Sequence, residues 1–226
     1  MDWLLMIVMF ALPIIAQINV TSTYKKYNKI SNSRGLTGAE VARRILDANG
    51  LHEVKIEHIP GNLTDHYDPR DNTVRLSDTV YGSTSVAALG VAAHECGHVC
   101  QHAENYAPIV IRSKIVPAAS VCSRLWYFVL LAGILLTYLA NRISPVIYIA
   151  IIMFAAVVVF QIVTLPTEFN ASNRALKTLE SDAILDSAEI PAARKVLTAA
   201  AMTYVASLVT SLIQLFRLLS MVSRRR

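Results

Sequence analysis

The sequence predicts a multi-pass α-helical membrane protein with a small α+β region outside the hydrocarbon, built from one histidine-bearing helix and a short hairpin. Three observations carry this. Hydrophobic residues fill 54% of the 226 positions and charged residues only 16%, and the mean hydropathy is +0.45, a balance too apolar for an ordinary soluble domain. Apolar runs at 3–20, 125–140 and 145–165, with a weaker one at 196–219, approach the roughly 20 residues that cross about 30 Å of hydrocarbon as a helix. The stretches between them carry caps, turn residues and alternating patterns. The expected division is a transmembrane helix at 1–21, an α+β soluble segment at 22–82, and a histidine-bearing helix with its linker at 83–115. Transmembrane helices at 116–142 and 143–166 follow, then a second soluble segment at 167–195 and a fourth helix at 196–222 that spans the membrane or lies along it.

The first apolar run reads as a retained helix rather than a cleaved signal. Asp2 makes its start acidic, and no small-x-small site precedes Asn19-Val20-Thr21. Lys25, Lys26 and Lys29 follow at once. Thr37 with Glu40 three residues on forms a capping box, Val41 and Ile45 supply an apolar face, and Gly50 suits the position after the helix end. Val54-Lys55-Ile56 alternates like a strand. Residues 65–68 and 73–77 flank the turn-rich Pro69-Arg70-Asp71-Asn72 and predict a hairpin, whose edge could pair with an extended peptide or simply roof the next helix. The runs at 125–140 and 145–165 form a helical hairpin through Asn141-Arg142-Ile143-Ser144. The last run is interrupted by hydroxyls and by Gln214 and Arg217, which suits packing against other helices.

The net charge is +5, but the basic residues sit beside apolar runs rather than among aromatics, so anionic lipid headgroups fit better than nucleic acid. Cys96, Cys100 and Cys122 give no paired framework and read as reduced packing residues.

The chemistry concentrates in His94-Glu95-Cys96-Gly97-His98. Thr84 is the N-cap candidate for a helix leading into it, and residues four apart share a helix face, so both imidazoles can converge on Zn²⁺. Glu95 is rotated about 100° from His94, better placed to bond a water carried by the metal than to ligate. That makes it the candidate general base. Such a five-residue pattern also arises by chance, but an apolar helix accommodates two histidines and a glutamate poorly unless they are paired or metal-bound. Cys96 turns toward the other side, and His102, two turns beyond His94, reads as a supporting or surface residue. A catalytic zinc takes a third protein ligand. Gln101 and Glu104 stand where a longer motif would place its glycine and histidine, so the ligand comes from further along. Glu168, where the third apolar run ends, is the first choice, with Glu180 and Glu189 behind it.

With these residues in hand, the sequence resembles the YugP-type membrane zinc metallopeptidases of bacteria and, more distantly, the HtpX-type integral-membrane proteases. The resemblance rests on Tyr67-Asp68-Pro69, Leu76-Ser77, Ala93 through His98 with Gln101-His102, Leu165 through Ser172, and Val196-Leu197 with Ala201 through Tyr204. It implies His94, His98 and Glu168 as zinc ligands, Glu95 as the base, and a zincin-like, gluzincin-type catalytic region that hydrolyses a peptide or membrane-protein substrate. One departure is Ser172, where HtpX-type proteases carry an aspartate; a hydroxyl can still orient a ligand. Tyr67, Tyr81, Arg174 and Tyr204 are each chemically able to steady an oxyanion. The reading from another class is a non-catalytic membrane assembly factor with a structural zinc site, against which the intact Glu95 speaks; hydrolysis of a lipid or another amide is a third. The histidines and Glu168 must share one membrane face. Lys25, Lys26, Lys29, Arg112, Lys114, Arg124, Arg174, Lys177, Arg194 and Lys195 fall on it, so the catalytic face is expected to be cytoplasmic, with Arg142 and the terminal Ser223-Arg224-Arg225-Arg226 as the opposing signal.

Overall fold

A computed structural model describes residues 2–223 of the chain. In order it forms α1 (Asp2–Tyr27), α2 (Gly38–Ala48), β1 (Lys55–Ile59), β2 (His66–Asp68), β3 (Thr73–Ser77), α3 (Val86–Ala103), α4 (Ala107–Ala140), α5 (Pro145–Ser181) and α6 (Ile190–Ser223). Among the described residues, α1, α4, α5 and α6 are long and apolar enough to cross a membrane. The terminal arginines 224–226, invoked above against a cytoplasmic site, lie outside the described residues.

Several expected boundaries move, and helix continuity is the reason in each case. α1 runs on to Tyr27, α4 begins at Ala107 where a linker to 115 was expected, and α5 continues through Glu168 to Ser181, into the stretch expected as a second soluble segment. At about 1.5 Å per residue, the 37 residues of α5 reach roughly 55 Å, well beyond about 30 Å of hydrocarbon. One helix therefore supplies both an apolar span and a polar extension, and composition alone does not show where a helix leaves the membrane without breaking. Pro166 lies inside α5, where it removes one backbone donor.

The chain divides into two compact units. The first comprises Met1–Ile15, Ala107–Leu165 and Tyr204–Arg226. Its core is Leu130, Ile147, Ala150, Phe154, Val158 and Leu218, and Trp126 packs on Phe154 with ring centroids 4.5 Å apart. At Gly133 a Cβ would stand 2.8 Å from the Ile147 side chain and 2.9 Å from its backbone nitrogen, so only glycine lets α4 and α5 approach this closely. Trp3, Phe10, Phe128 and Tyr138 are exposed, as side chains facing lipid must be.

The second unit comprises Ala16–Tyr106 and Pro166–Thr203. Its core joins Val41, Ile45 and Leu46 of α2, Val74 and Leu76 of β3, Leu89, Ala92 and Cys96 of α3, Leu179 of α5 and Val196 of α6. The capping box of α2 is present, with Thr37 accepting from the Glu40 backbone and the Glu40 carboxylate accepting from the Thr37 N–H at 2.8 Å. Gly50 takes the positive φ of 71° that ends such a helix. The sheet order is β1-β3-β2. β2 and β3 form the antiparallel hairpin, with Tyr67 opposite Val74, and β1 joins β3 in parallel on its other side. That leaves β2 as an outer edge.

The N-cap of α3 is Ser85 rather than Thr84. Ser85 Oγ accepts from the Ala88 N–H at 3.1 Å and donates to Asn28 Oδ1 at 2.6 Å, while the Thr84 carbonyl is taken by the backbone and side chain of Asn32. Asn28 and Asn32 thus fix the start of the histidine-bearing helix.

Candidate metal centre

The candidate ligands and the side chains that hold them belong to the second unit. His94 and His98 lie on one face of α3 with ring centroids 4.8 Å apart and planes at 84°. α5 lays Glu168, only 2% exposed, against them: its Oε2 is 3.3 Å from His94 Nε2 and 3.6 Å from His98 Nε2. One donor atom from each of the three lies within 4.8 Å of the others. Tetrahedral donors at zinc-ligand distances stand about 3.3–3.5 Å from one another, so this spacing suits a single ion. A buried carboxylate facing two imidazole nitrogens is also the environment that a cation stabilises. Glu180 and Glu189 are not part of this cluster. Glu180 is exposed on α5, and the Glu189 carboxylate accepts from the backbone N–H groups of Ser33 and Asp186.

The approach of α5 to α3 depends on Gly97. A Cβ there would lie 2.8 Å from the Ala171 carbonyl oxygen and 3.2 Å from its Cα, closer than packed atoms come, so the glycine between the two histidines permits the crossing that delivers Glu168.

Both imidazoles are held by their far nitrogens. Ser172 Oγ is 3.1 Å from His94 Nδ1, so the hydroxyl does stand where it can orient a ligand. His98 Nδ1 is 3.0 Å from Gln101 Oε1. The orientation of that amide is fixed, because its Nε2 donates to the Thr167 carbonyl at 2.8 Å and to Asn170 Oδ1 at 2.9 Å, leaving Oε1 to accept from His98. The proton therefore sits on Nδ1, and Nε2 turns its lone pair to the cluster. Asn170 Oδ1 also accepts from Arg174 Nε at 2.8 Å, and Arg174 pairs bidentately with Glu104 at 2.7 Å for each bond. A polar chain thus runs from His98 through α5 to the C-cap of α3. The sequence reading missed Gln101 and Asn170 as site residues. The signal available was the i,i+3 spacing from His98 to Gln101.

Glu95 follows His94 and is 8% exposed. Burial raises its carboxyl above the ordinary carboxylate range; the two imidazoles oppose this, and the nearby Asp65 and Glu168 add to it. Cys96 is turned away, its Sγ toward the Ala42 carbonyl at 3.6 Å, and burial holds its thiol well above the usual range. It is a packing residue. His102 packs its ring edge-on against Tyr67 of β2, centroids 5.5 Å apart, which sets the hairpin beside the site helix. Of the four candidate oxyanion donors, Arg174 is engaged by Glu104 and Asn170, and the Tyr67 hydroxyl donates to Asn72 Oδ1 at 2.9 Å. The Tyr81 ring lies against His58, centroids 5.2 Å apart, and Tyr204 belongs to the first unit.

Two substitutions test this geometry. In G97A the added methyl pushes α5 outward, so the expected result is weaker metal binding and a stability loss of about 1–3 kcal/mol, read by metal content and thermal unfolding. Wild-type metal content in G97A would show that this contact does not position Glu168. Replacing Gln101 with leucine is expected to weaken metal affinity roughly 10–100-fold in competition with a chelator while the helical signal is kept; unchanged affinity would remove Gln101 from the site.

Comparison with known proteins supplies the family and the metal. A family model described as "Putative neutral zinc metallopeptidase" matches residues 2–223. The chain is 48% identical over 202 residues to the "Putative membrane protease YugP" of Bacillus subtilis (strain 168), across 89% of this chain and 88% of that protein. No solved structure matches it significantly. The metal to be held is therefore zinc, for which two imidazoles and a carboxylate are a known catalytic ligand set, and the chain belongs to the family of neutral zinc metallopeptidases.

Proposed function

We propose that this membrane metallopeptidase is an endopeptidase with a zincin-like active region, in which His94, His98 and Glu168 hold the zinc and Glu95 is the general base. The observation that carries the reading is the convergence of His94 Nε2, His98 Nε2 and the Glu168 carboxylate within 4.8 Å, with the Glu95 carboxylate on the neighbouring residue of the same helix. Zinc in such a site supplies Lewis acidity, polarising a carbonyl oxygen and lowering the pKa of water to about 7. His94 and His98 would hold the ion through their Nε2 atoms, and Glu168 through its carboxylate. Glu95, shielded from bulk water, takes a proton from the attacking water onto its carboxylate and passes it to the nitrogen of the departing amine. The outer edge of β2, beside α3 through the Tyr67–His102 contact, is suited to hold an extended peptide by main-chain hydrogen bonds. Cys96 and Cys100 do not join the cluster, and a structural site would more often be completed by such a residue, which favours catalysis over a purely structural zinc.

The catalytic face is cytoplasmic on this reading. α4 and the apolar part of α5 lie between the histidines and Glu168 in sequence and provide two crossings. The lysines and arginines at 25–29, 174–177 and 194–195 follow or precede the apolar runs closely enough for the positive-inside bias to act.

The base and the ligands are separable by experiment. E95Q is expected to keep its zinc and lose proteolysis of a casein or membrane-protein substrate by at least about 100-fold, whereas E168A is expected to lose zinc as fully as H98A does. E180A and E189A should retain it. Activity in E95Q, or normal zinc in E168A by mass spectrometry, would overturn the respective assignment. For the orientation, a cysteine introduced at Ser187 should react with a membrane-impermeant maleimide only after cell lysis, while one at Arg142 reacts in intact cells; the reverse pattern places the site outside.

A further inference from the structure

Where α1 and α6 meet in the second unit they form a groove of 460 Å³ whose lining includes Lys26, Tyr27, Arg194, Lys195, Thr198 and Met202. The Lys26 ammonium lies 5.5 Å and the Lys195 ammonium 6.0 Å from the centroid of the same Tyr27 ring, so cations from two helices gather around one aromatic ring. No carboxylate lines the groove. The acids just before α6 are turned elsewhere: Glu189 accepts from Ser33 and Asp186, and Asp186 accepts from the Ser33 hydroxyl at 2.8 Å and faces Arg34 at 4.0 Å. The groove is therefore positively charged without internal compensation.

Its depth identifies the anion. Lys26 is six residues past the end of the apolar run at Val20, about 9 Å along the helix, at the outer rim of a headgroup layer roughly 5–8 Å deep and within reach of it for a long lysine side chain. On α6 the apolar sequence starts at Val196, directly after Lys195, and continues down the groove through buried Ala199 to exposed Met202. We propose that this groove is a binding site for an anionic phospholipid, its phosphate held by Lys26, Arg194 and Lys195 and the start of its acyl chains against Met202. Thr23 and Thr198 at the same rim offer hydroxyls to the phosphate and glycerol oxygens.

The test uses the full-length, zinc-loaded protein in mild detergent. Native mass spectrometry counts bound lipid as phosphatidylglycerol or phosphatidylcholine is titrated in, and thermal unfolding is followed in nanodiscs of each composition. The expected result is one saturable phosphatidylglycerol adduct with a higher unfolding temperature, and neither with phosphatidylcholine. In the K26Q/R194Q/K195Q variant, affinity should fall by roughly a hundredfold, as expected for three basic residues at a lipid surface. The R44Q/K55Q/K177Q variant, which loses the same charge away from the groove, should bind like wild type. Equal response to the two lipids, or equal loss in both variants, would overturn the proposal. Inorganic phosphate at matched concentration is expected to give no protection; if it protected as well as the lipid, the groove would be a free-anion site and the lipid assignment would fail.

Discussion

The contact between α3 and α5 at Gly97 and Ala171 governs the rest of the second unit. Two helices far apart in sequence come close enough there for the Ala171 backbone to occupy the space a side chain would fill. That closeness sets Glu168 against His94 and His98. It also brings Ser172 to His94 and Asn170 to Gln101, since these residues lie within one turn of the crossing. Remove the closeness and each of these polar pairs lengthens together. The apolar core formed by α2, β3, α3, α5 and α6 holds the crossing from behind, and the capped start of α3 at Ser85 fixes which way its histidines face.

Much of this was legible in the sequence, and for a local reason. The capping box of α2, the hairpin of β2 and β3 and the histidine pair of α3 are all encoded by residues within a few positions of one another, where spacing translates directly into geometry. Glu168 was reachable because few carboxylates follow the second crossing. The tie from Gln101 to Thr167 and Asn170 was not, because it depends on the distance between two helices, which no local pattern states. The parallel addition of β1 to β3 and the unbroken passage of α5 from apolar span to Ser181 escaped for the same reason.

The two units divide the work by chemistry. Gly133 against Ile147 and Trp126 against Phe154 pack the apolar unit by close fit, with the buried Thr137 hydroxyl accepting from the Ser144 N–H at 2.9 Å where α4 gives way to α5. In the second unit six of the ten buried polar residues, Glu95, His98, Gln101, Thr167, Glu168 and Ser172, gather around the three candidate ligands. In such surroundings a half-satisfied network is costly, and the amide of Gln101, fully buried, has each of its hydrogen-bonding groups paired.

The orientation of that amide has a consequence for the proton that hydrolysis sets in motion. Gln101 accepts from His98 and donates to Asn170 and Thr167, and Asn170 accepts from Arg174 as well, so the chain leading outward to Glu104 consists of amides and a guanidinium with every hydrogen assigned. None of these groups readily gains or gives up a proton near neutral pH. The path from His98 to solvent is thus an insulator rather than a wire: it can hold an imidazole still but cannot carry charge away. On the proposed mechanism, a proton taken up by Glu95 has no exit along that side and is left for the nitrogen of the departing amine.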